Sequence, residues 1–155
     1  MKIKMMMCAL LVVFASAMVG SAQTSAHMGT WKLNEAKSKF PKGATKNHTV
    51  VYEAAGDQTK VTVDGTDGSG NAVHSEWTGK FDGKPYALTG DPAGDMRSYR
   101  VVNRRTLSLR STKAGKLTTT ATIVVARDGK SRTVTASSKN AKGKWTTSTG
   151  FYDKQ

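Results

Sequence analysis

The sequence Gly29-Thr30-Trp31-Lys32-Leu33-Asn34 predicts the first strand of a small antiparallel β-barrel. Trp31 is large enough to plug the floor of such a barrel, and Gly29 lets the backbone pass close beside the indole ring. Downstream, one pattern repeats almost to the end of the chain: short runs of alternating apolar and polar residues, each followed by turn residues. This alternation is typical of antiparallel strands that bury one face and expose the other.

About ten strands are predicted from this alternation. Asp82-Gly83 and Asp128-Gly129 are strong hairpin signals between neighbouring strands. Residues 35–47 are predicted to form a connector after the first strand, with one helical turn that Pro41 ends. The strands are predicted over 29–34, 48–54, 58–64, 73–81, about 86–88, 96–102, 105–111, 116–127, 131–137 and 144–152.

The polar faces of these strands carry Thr, Ser, Lys and Arg, which suit positions exposed to solvent. Consecutive hairpins with a single apolar face favour an up-and-down sheet that closes on itself, because closure removes the exposed edges. An open β-sandwich would show the same alternation and is the alternative architecture. We therefore predict an all-β chain with one antiparallel barrel domain over residues 29–155.

The first 22 residues have the pattern of a cleavable secretory signal helix. Lys2 and Lys4 give a positive start, residues 9–19 are apolar, and the small residues 20–22 follow, with cleavage predicted after Ala22. The apolar run is too short for a good membrane span, although an uncleaved anchor is the alternative interpretation. Residues 23–28 are predicted to be a flexible tail. Cys8, the chain's one cysteine, lies inside the leader, so a secreted or periplasmic protein without disulfides is predicted.

The chain is strongly basic, with 24 Lys and Arg against 11 Asp and Glu and a formal net charge of +13. Such a charge attracts anionic lipid headgroups, acidic polysaccharides or nucleic acids. The basic residues are spread over many strands and turns, without interleaved stacking aromatics, and a protein outside the cytosol meets little nucleic acid. We therefore predict no nucleic-acid partner, an anionic envelope surface as a candidate partner, and a monomer. A charged exterior that serves solubility alone is the alternative.

No pattern in the sequence points to catalysis, a cofactor or a metal. Asp64, Asp67 and Asn71 share the spacing of a calcium loop but lack its terminal Glu, so a plain turn is favoured. No serine lies in a nucleophile elbow, and no glycine loop precedes a helix. We predict a protein that is not an enzyme and has no cofactor or metal. The histidines after the leader are far apart in sequence: His27, His48 and His74.

Two segments resemble a known group of barrels. The opening Gly29-Thr30-Trp31-Lys32-Leu33 resembles the first strand of the calycins, which include the lipocalins and the intracellular fatty-acid-binding proteins. The closing Ser148-Thr149-Gly150-Phe151-Tyr152-Asp153-Lys154 is similar to the last strand of the fatty-acid-binding branch. The chain also resembles small secreted bacterial proteins of unknown function that open with a Gly-Thr-Trp-Lys-Leu-Asn-like segment. These resemblances imply a lipocalin-like barrel that holds a small apolar molecule.

The chain departs from the fatty-acid-binding branch at two places. Its connector over 35–47 is too short, and too interrupted by proline and glycine, to form that branch's two-helix lid. Tyr152 matches the Tyr of the branch's carboxylate site, but Gly150 stands where the Arg is required. Because a buried carboxylate without a cation is costly, we expect Arg97 or Arg100 to point inward as a polar anchor.

The predicted function is non-catalytic binding of a small, mostly apolar molecule inside the barrel. The alternative is a filled barrel whose basic surface docks on anionic envelope components or on a partner protein. Gly29, Trp31 and Trp145 are predicted to be structural, with the two tryptophans packing the barrel floor. The residues predicted to line the ligand cavity are Tyr52, Val63, Trp77, Tyr86, Leu88, Arg97, Tyr99, Leu107, Leu109 and Tyr152.

Overall fold

A computed structural model describes residues 25–155 of the chain, and the predicted leader over 1–22 lies outside the described residues. Two three-residue 3-10 helices, Ser25–His27 and Glu35–Lys37, flank the first strand. The strands are β1 Gly29–Leu33, β2 Lys46–Ala55, β3 Gln58–Thr66, β4 Ala72–Gly79, β5 Tyr86–Thr89, β6 Met96–Asn103, β7 Thr106–Lys113, β8 Lys116–Val125, β9 Ser131–Lys139 and β10 Trp145–Lys154.

The strands form one closed antiparallel barrel in which each strand pairs with its neighbours in sequence. β1 closes the barrel against β10, with Trp31 opposite Lys154 and Leu33 opposite Tyr152. Closure pairs every strand on both sides, so no edge is left for another chain to extend. The predicted all-β up-and-down barrel is therefore confirmed, and the open sandwich is excluded.

The connector between β1 and β2 contains a single 3-10 turn, Glu35–Lys37, in place of a helical lid. Asn34 caps this turn, because its side chain accepts a hydrogen bond from the Lys37 amide. Ser38 ties the turn to β10 through its Oγ, which accepts a hydrogen bond of 2.9 Å from the Phe151 amide. The expected short connector with one helical turn is present, but the turn ends at Lys37 and not, as predicted, at Pro41, because Lys39 already pairs with Thr149 on β10.

The floor of the barrel is built around Trp31, whose side chain has no exposed surface. The indole Nε1 donates a hydrogen bond of 2.9 Å to the His27 carbonyl oxygen. The guanidinium carbon of Arg132, on β9, lies 4.7 Å from the Trp31 ring centre and 5.0 Å from the rings of Tyr52 and Tyr152. The first 3-10 helix and this cation among three rings close one end of the barrel, which we call the floor end.

For residues 25–28, the structure differs from the predicted flexible tail over 23–28, and residues 23 and 24 lie outside the described residues. Residues 25–27 form the 3-10 helix, and the His27 side chain has no exposed surface. Ala26 and Met28 also pack against the core. A three-residue turn has no hydrophobic periodicity, so the alternation that identified the strands gave no signal here.

The structure also corrects the interpretation of Trp145 as a floor residue. Tyr152 pairs with buried Arg132, and Gly150 pairs with Val134, so these positions of β10 face inward. Trp145, an odd number of residues away, faces outward and is 42% exposed. Composition alone does not reveal this parity, because Trp145 and Phe151 put large apolar side chains on the outward face of β10. An error of one residue in strand parity turns every side chain to the opposite face.

Candidate ligand site in the barrel interior

An aromatic cluster packs the interior next to the floor. The ring centres of Trp77 and Tyr99 are 4.7 Å apart, and those of Tyr52 and Tyr99 are 6.3 Å apart, both in edge-to-face arrangements. Phe81 stacks on Trp77 at 6.0 Å. Because these rings contact one another, they fill the part of the barrel that they occupy. The cluster consists of Tyr52, Trp77, Phe81, Tyr86 and Tyr99.

On β8, β9 and β10 several inward-facing side chains are small, and some of these are only half-buried. Val134 pairs with buried Ile123 and Ala136 pairs with buried Ala121, so both face the interior, yet each is only half-buried. Solvent therefore contacts these small side chains, which the aromatic cluster does not fully cover. We call this surface the interior wall; it consists of Thr119, Val134, Ala136, Ser138 and Ser148.

Hydroxyl groups of the interior wall lie toward the end of the barrel opposite the floor. Ser138 Oγ donates a hydrogen bond of 3.2 Å to Thr119 Oγ1, which joins β9 to β8. Ser148 pairs with Ala136 and faces the interior beside it. The wall is therefore apolar in its middle and carries hydroxyl groups farther from the floor. Such a surface suits a molecule with an apolar body and a neutral polar end.

Arg97 points inward and Arg100 points outward, so the expected inward arginine is Arg97. Its Nε donates a hydrogen bond of 2.9 Å to Ser111 Oγ, and its Nη2 lies 2.9 Å from Asp91 Oδ2. The Arg97 backbone carbonyl accepts a hydrogen bond of 2.8 Å from Trp77 Nε1. Because Asp91 already neutralises this guanidinium, Arg97 is not a free cation for a ligand carboxylate.

The loop that carries Asp91 folds down onto the barrel. Gly94 in this loop is buried, and a Cβ added there would lie 2.9 Å from Leu88 Cδ2. Only glycine lets the loop backbone come this close to the Leu88 side chain. The contact holds Asp91 over Arg97 and fixes the position of that ion pair at the end of the interior.

Arg132 is a buried cation of the barrel interior that the sequence analysis did not identify. It is 2% exposed, and no acceptor among the described residues bonds its Nε or Nη1. The signal was present in the sequence, because Arg132 shares its face of β9 with Val134 and Ala136 and therefore had to face inward. The three rings around its guanidinium place it below the aromatic cluster, at the floor.

The phenols near the floor stay protonated at neutral pH. Burial raises the pKa of Tyr152 to about 12, and burial is also the main cause of the raised pKa of Tyr99. Within residues 25–155, no group of three or more His, Cys, Asp or Glu is placed to hold a metal ion. The interior offers apolar surface, hydroxyl groups and a neutralised ion pair, and this combination is suited to binding.

The structure brings most of the predicted lining residues together inside the barrel. Tyr86 differs, because it is half-buried and its hydroxyl donates a hydrogen bond of 2.9 Å to Asp82 Oδ2. That the predicted lining residues contact a ligand stays a prediction. The half-buried residues of the interior wall were not among them. The predicted residues that are buried inside are Tyr52, Val63, Trp77, Leu88, Arg97, Tyr99, Leu107, Leu109 and Tyr152.

Across the described part of the chain, there is no helix with the length and hydropathy needed to cross a membrane.

The exposed charged side chains include a cluster on β3 and β4. Lys60 pairs with Glu76 at 2.9 Å, and His74 Nδ1 lies 2.6 Å from Asp64 Oδ1. Asp67 accepts a hydrogen bond from the Asn71 amide within the turn, and Asp64 pairs with His74 on the neighbouring strand. The residues with the calcium-like spacing therefore stabilise the turn and the strand beside it.

Comparison with solved structures finds a similar overall fold. A structure described as EF1p2_mFAP2b bound to DFHBI aligns with a TM-score of 0.50 and 13% identity, over 87% of this chain and 100% of that one. Lobster apocrustacyanin A1 aligns with a TM-score of 0.42 and 13% identity, over 84% and 61% of the two chains. No protein-family profile and no curated protein matches the sequence. At this identity the likeness concerns the fold alone.

Proposed function

We propose that this protein binds a small, mostly apolar and uncharged molecule inside its barrel and does not change it chemically. The observation that carries the proposal is the interior wall, where inward-facing residues such as Val134 and Ala136 are half-buried instead of covered. A filled barrel would bury these side chains as fully as it buries Leu107, which has no exposed surface. The predicted leader places this binding outside the cytosol, in a periplasm or beyond the cell.

The charges inside the barrel favour a neutral ligand over a fatty acid. Arg97 is paired with Asp91, and Arg132 lies at the floor with its guanidinium among three rings. A carboxylate on the interior wall would therefore lose its hydration, and it could pair with Arg132 only by displacing the rings that cover that guanidinium. A neutral hydroxyl group can instead donate to or accept from Ser138 or Ser148, and a carbonyl group can accept a hydrogen bond from either.

Filling the interior wall is expected to abolish binding. We expect Ala136→Trp to weaken binding of Nile red, an uncharged apolar probe, by at least about tenfold, because the indole would occupy the space that the probe needs. The measurement is a fluorescence titration, with circular dichroism to establish that the variant is folded.

Ala87→Trp is the matched control, because Ala87 is exposed on the outer face of β5. It adds the same side chain and should leave Nile red affinity within about twofold of the wild type. Native mass spectrometry of the protein purified from its own compartment then identifies a natural ligand as a discrete released mass. Equal affinity of the wild type and both variants, or no binding by the wild type, would overturn the proposal and favour a filled barrel.

A further inference from the structure

The acidic residues of the strands are unevenly distributed around the barrel. β6, β7, β8 and β9 contain no Asp or Glu at any position. In contrast, β2, β3 and β4 carry Glu53, Asp64 and Glu76, and the last two pair with His74 and Lys60. Asp82 lies opposite Arg100, but its carboxylate accepts hydrogen bonds from the Lys84 amide and the Tyr86 hydroxyl. The exposed strand cations of the β6–β9 side therefore have fewer neighbouring carboxylates than those of the opposite side.

A groove of about 570 Å³ crosses the outer face of these four strands. Arg100 pairs with Ser108 and Arg110 pairs with Ser98, so the two arginines are diagonal neighbours on adjacent strands. The Cα atoms of such neighbours are about 7–8 Å apart. Neither guanidinium has a carboxylate within ion-pair distance among the described residues. The groove is lined by Gly83, Ser98, Arg100, Ser108, Leu109, Arg110, Thr120, Ala121, Thr122, Thr135 and Ser137.

Each arginine begins a row of hydroxyl groups that runs across the sheet. Next to Arg100, the row continues through Ser108, Thr122 and Thr135. Next to Arg110, it continues through Thr120 and Ser137. Each of these hydroxyl groups can both donate and accept a hydrogen bond. The groove therefore matches a partner that combines anionic groups with many groups of mixed donor and acceptor character.

Trp145 extends the groove on its β10 side. It pairs with Lys139, which lies two residues beyond Ser137 on β9, and the Lys139 Nζ is 5.6 Å from its ring centre. The indole is 42% exposed on the outer face. A broad ring beside hydroxyl-lined sheet gives a sugar ring an apolar face to pack against, while its hydroxyl groups reach the polar rows.

We infer that the outer face of β6–β9 binds an acidic polysaccharide. Arg100 and Arg110 form ion pairs with its carboxylates, and Trp145 packs against a sugar ring. The rows of Ser and Thr exchange hydrogen bonds with its hydroxyl groups. A phosphodiester backbone only accepts hydrogen bonds, so it would leave the acceptor capacity of the hydroxyl rows unused. Binding to a lipid surface requires protruding apolar side chains, whereas the groove is lined mostly by Ser, Thr and Arg.

The test is binding of polygalacturonate, a uronic-acid polymer, measured by isothermal titration calorimetry at fixed ionic strength. We expect Arg100→Gln with Arg110→Gln to weaken binding by at least about tenfold, because both charge-assisted contacts are lost. Trp145→Ala should weaken it several-fold. The matched control is Arg104→Gln with Arg127→Gln, which removes the same charge from exposed turn residues outside the groove and should change affinity by less than about twofold.

Three results would overturn the inference. An equal loss in both double variants would show attraction by net charge alone. No binding of polygalacturonate by the wild type would exclude the partner. Tighter binding of phosphatidylglycerol vesicles or of single-stranded poly(dT), lost in the groove variant, would assign the face to a membrane or a nucleic acid. Circular dichroism of each variant establishes its fold, and the Nile red titration is expected to be unchanged, since these residues lie outside the barrel.

Discussion

Replacing Trp31 with alanine is expected to lower the free energy of unfolding by about 3–5 kcal/mol. The indole has no exposed surface, it bonds the His27 carbonyl, and its ring contacts the Arg132 guanidinium. Its removal leaves a large cavity at the floor and releases the first 3-10 helix. For a domain of this size the loss corresponds to a fall in melting temperature of roughly 10–20 °C, measured by calorimetry or by circular dichroism.

Trp145→Ala provides the control for this loss, because it removes the same side chain from the outer face. We expect a change within about 1 kcal/mol, as for most exposed positions. If the two variants were destabilised equally, the assignment of Trp31 to the floor and of Trp145 to the exterior would be wrong.

The second large effect is a loss of stability in mild acid that depends on His27. Burial, with smaller contributions from the charges of Arg132 and Lys154, lowers the pKa of His27 from 6.5 to about 4. Between these values the unfolded chain binds a proton that the folded chain does not, so the free energy of unfolding falls as the pH falls. The expected loss from pH 7 to pH 4 is up to about 3 kcal/mol.

Urea unfolding of the wild type and of His27→Leu, at pH values from 7 to 4, measures this effect. The variant has no imidazole to protonate in either state, so its stability should depend less on pH across this window. His74→Gln is the comparison, because the pKa of exposed His74 is raised by its hydrogen bond to Asp64, which has the opposite sign. Parallel pH profiles for the wild type and His27→Leu would contradict the assignment.

The barrel was predictable because its signals are local. The alternation of apolar and polar residues identified each strand to within a few residues of its observed bounds, and turn residues separated the strands. Gly129, in one of the predicted hairpin turns, adopts a positive φ of 71° as such a turn requires. Closure followed from counting hairpins with one apolar face, without knowledge of any long-range contact.

The interior was predictable only in part, since it depends on contacts between strands that are distant in sequence. Residue size identified the aromatic cluster, but it did not show that Trp77 and Tyr99 contact each other or that Ala136 is only half-buried. Arg132 was overlooked because a cation on an apolar face is uncommon. The outward position of Trp145 was not predicted, because both faces of β10 carry an aromatic side chain, Trp145 on one and Tyr152 on the other.

The most direct test of the proposed function is methyl NMR spectroscopy of the protein during a titration with Nile red. Val134 and Ala136 face the interior, whereas Val102 and Val124 are exposed on the outside, 59% and 40% respectively, so one spectrum reports both surfaces. Binding inside the barrel predicts saturable shifts of the Val134 and Ala136 methyl signals, with Val102 and Val124 unchanged. Shifts confined to the two outer valines, or no shifts at saturating probe, would contradict it.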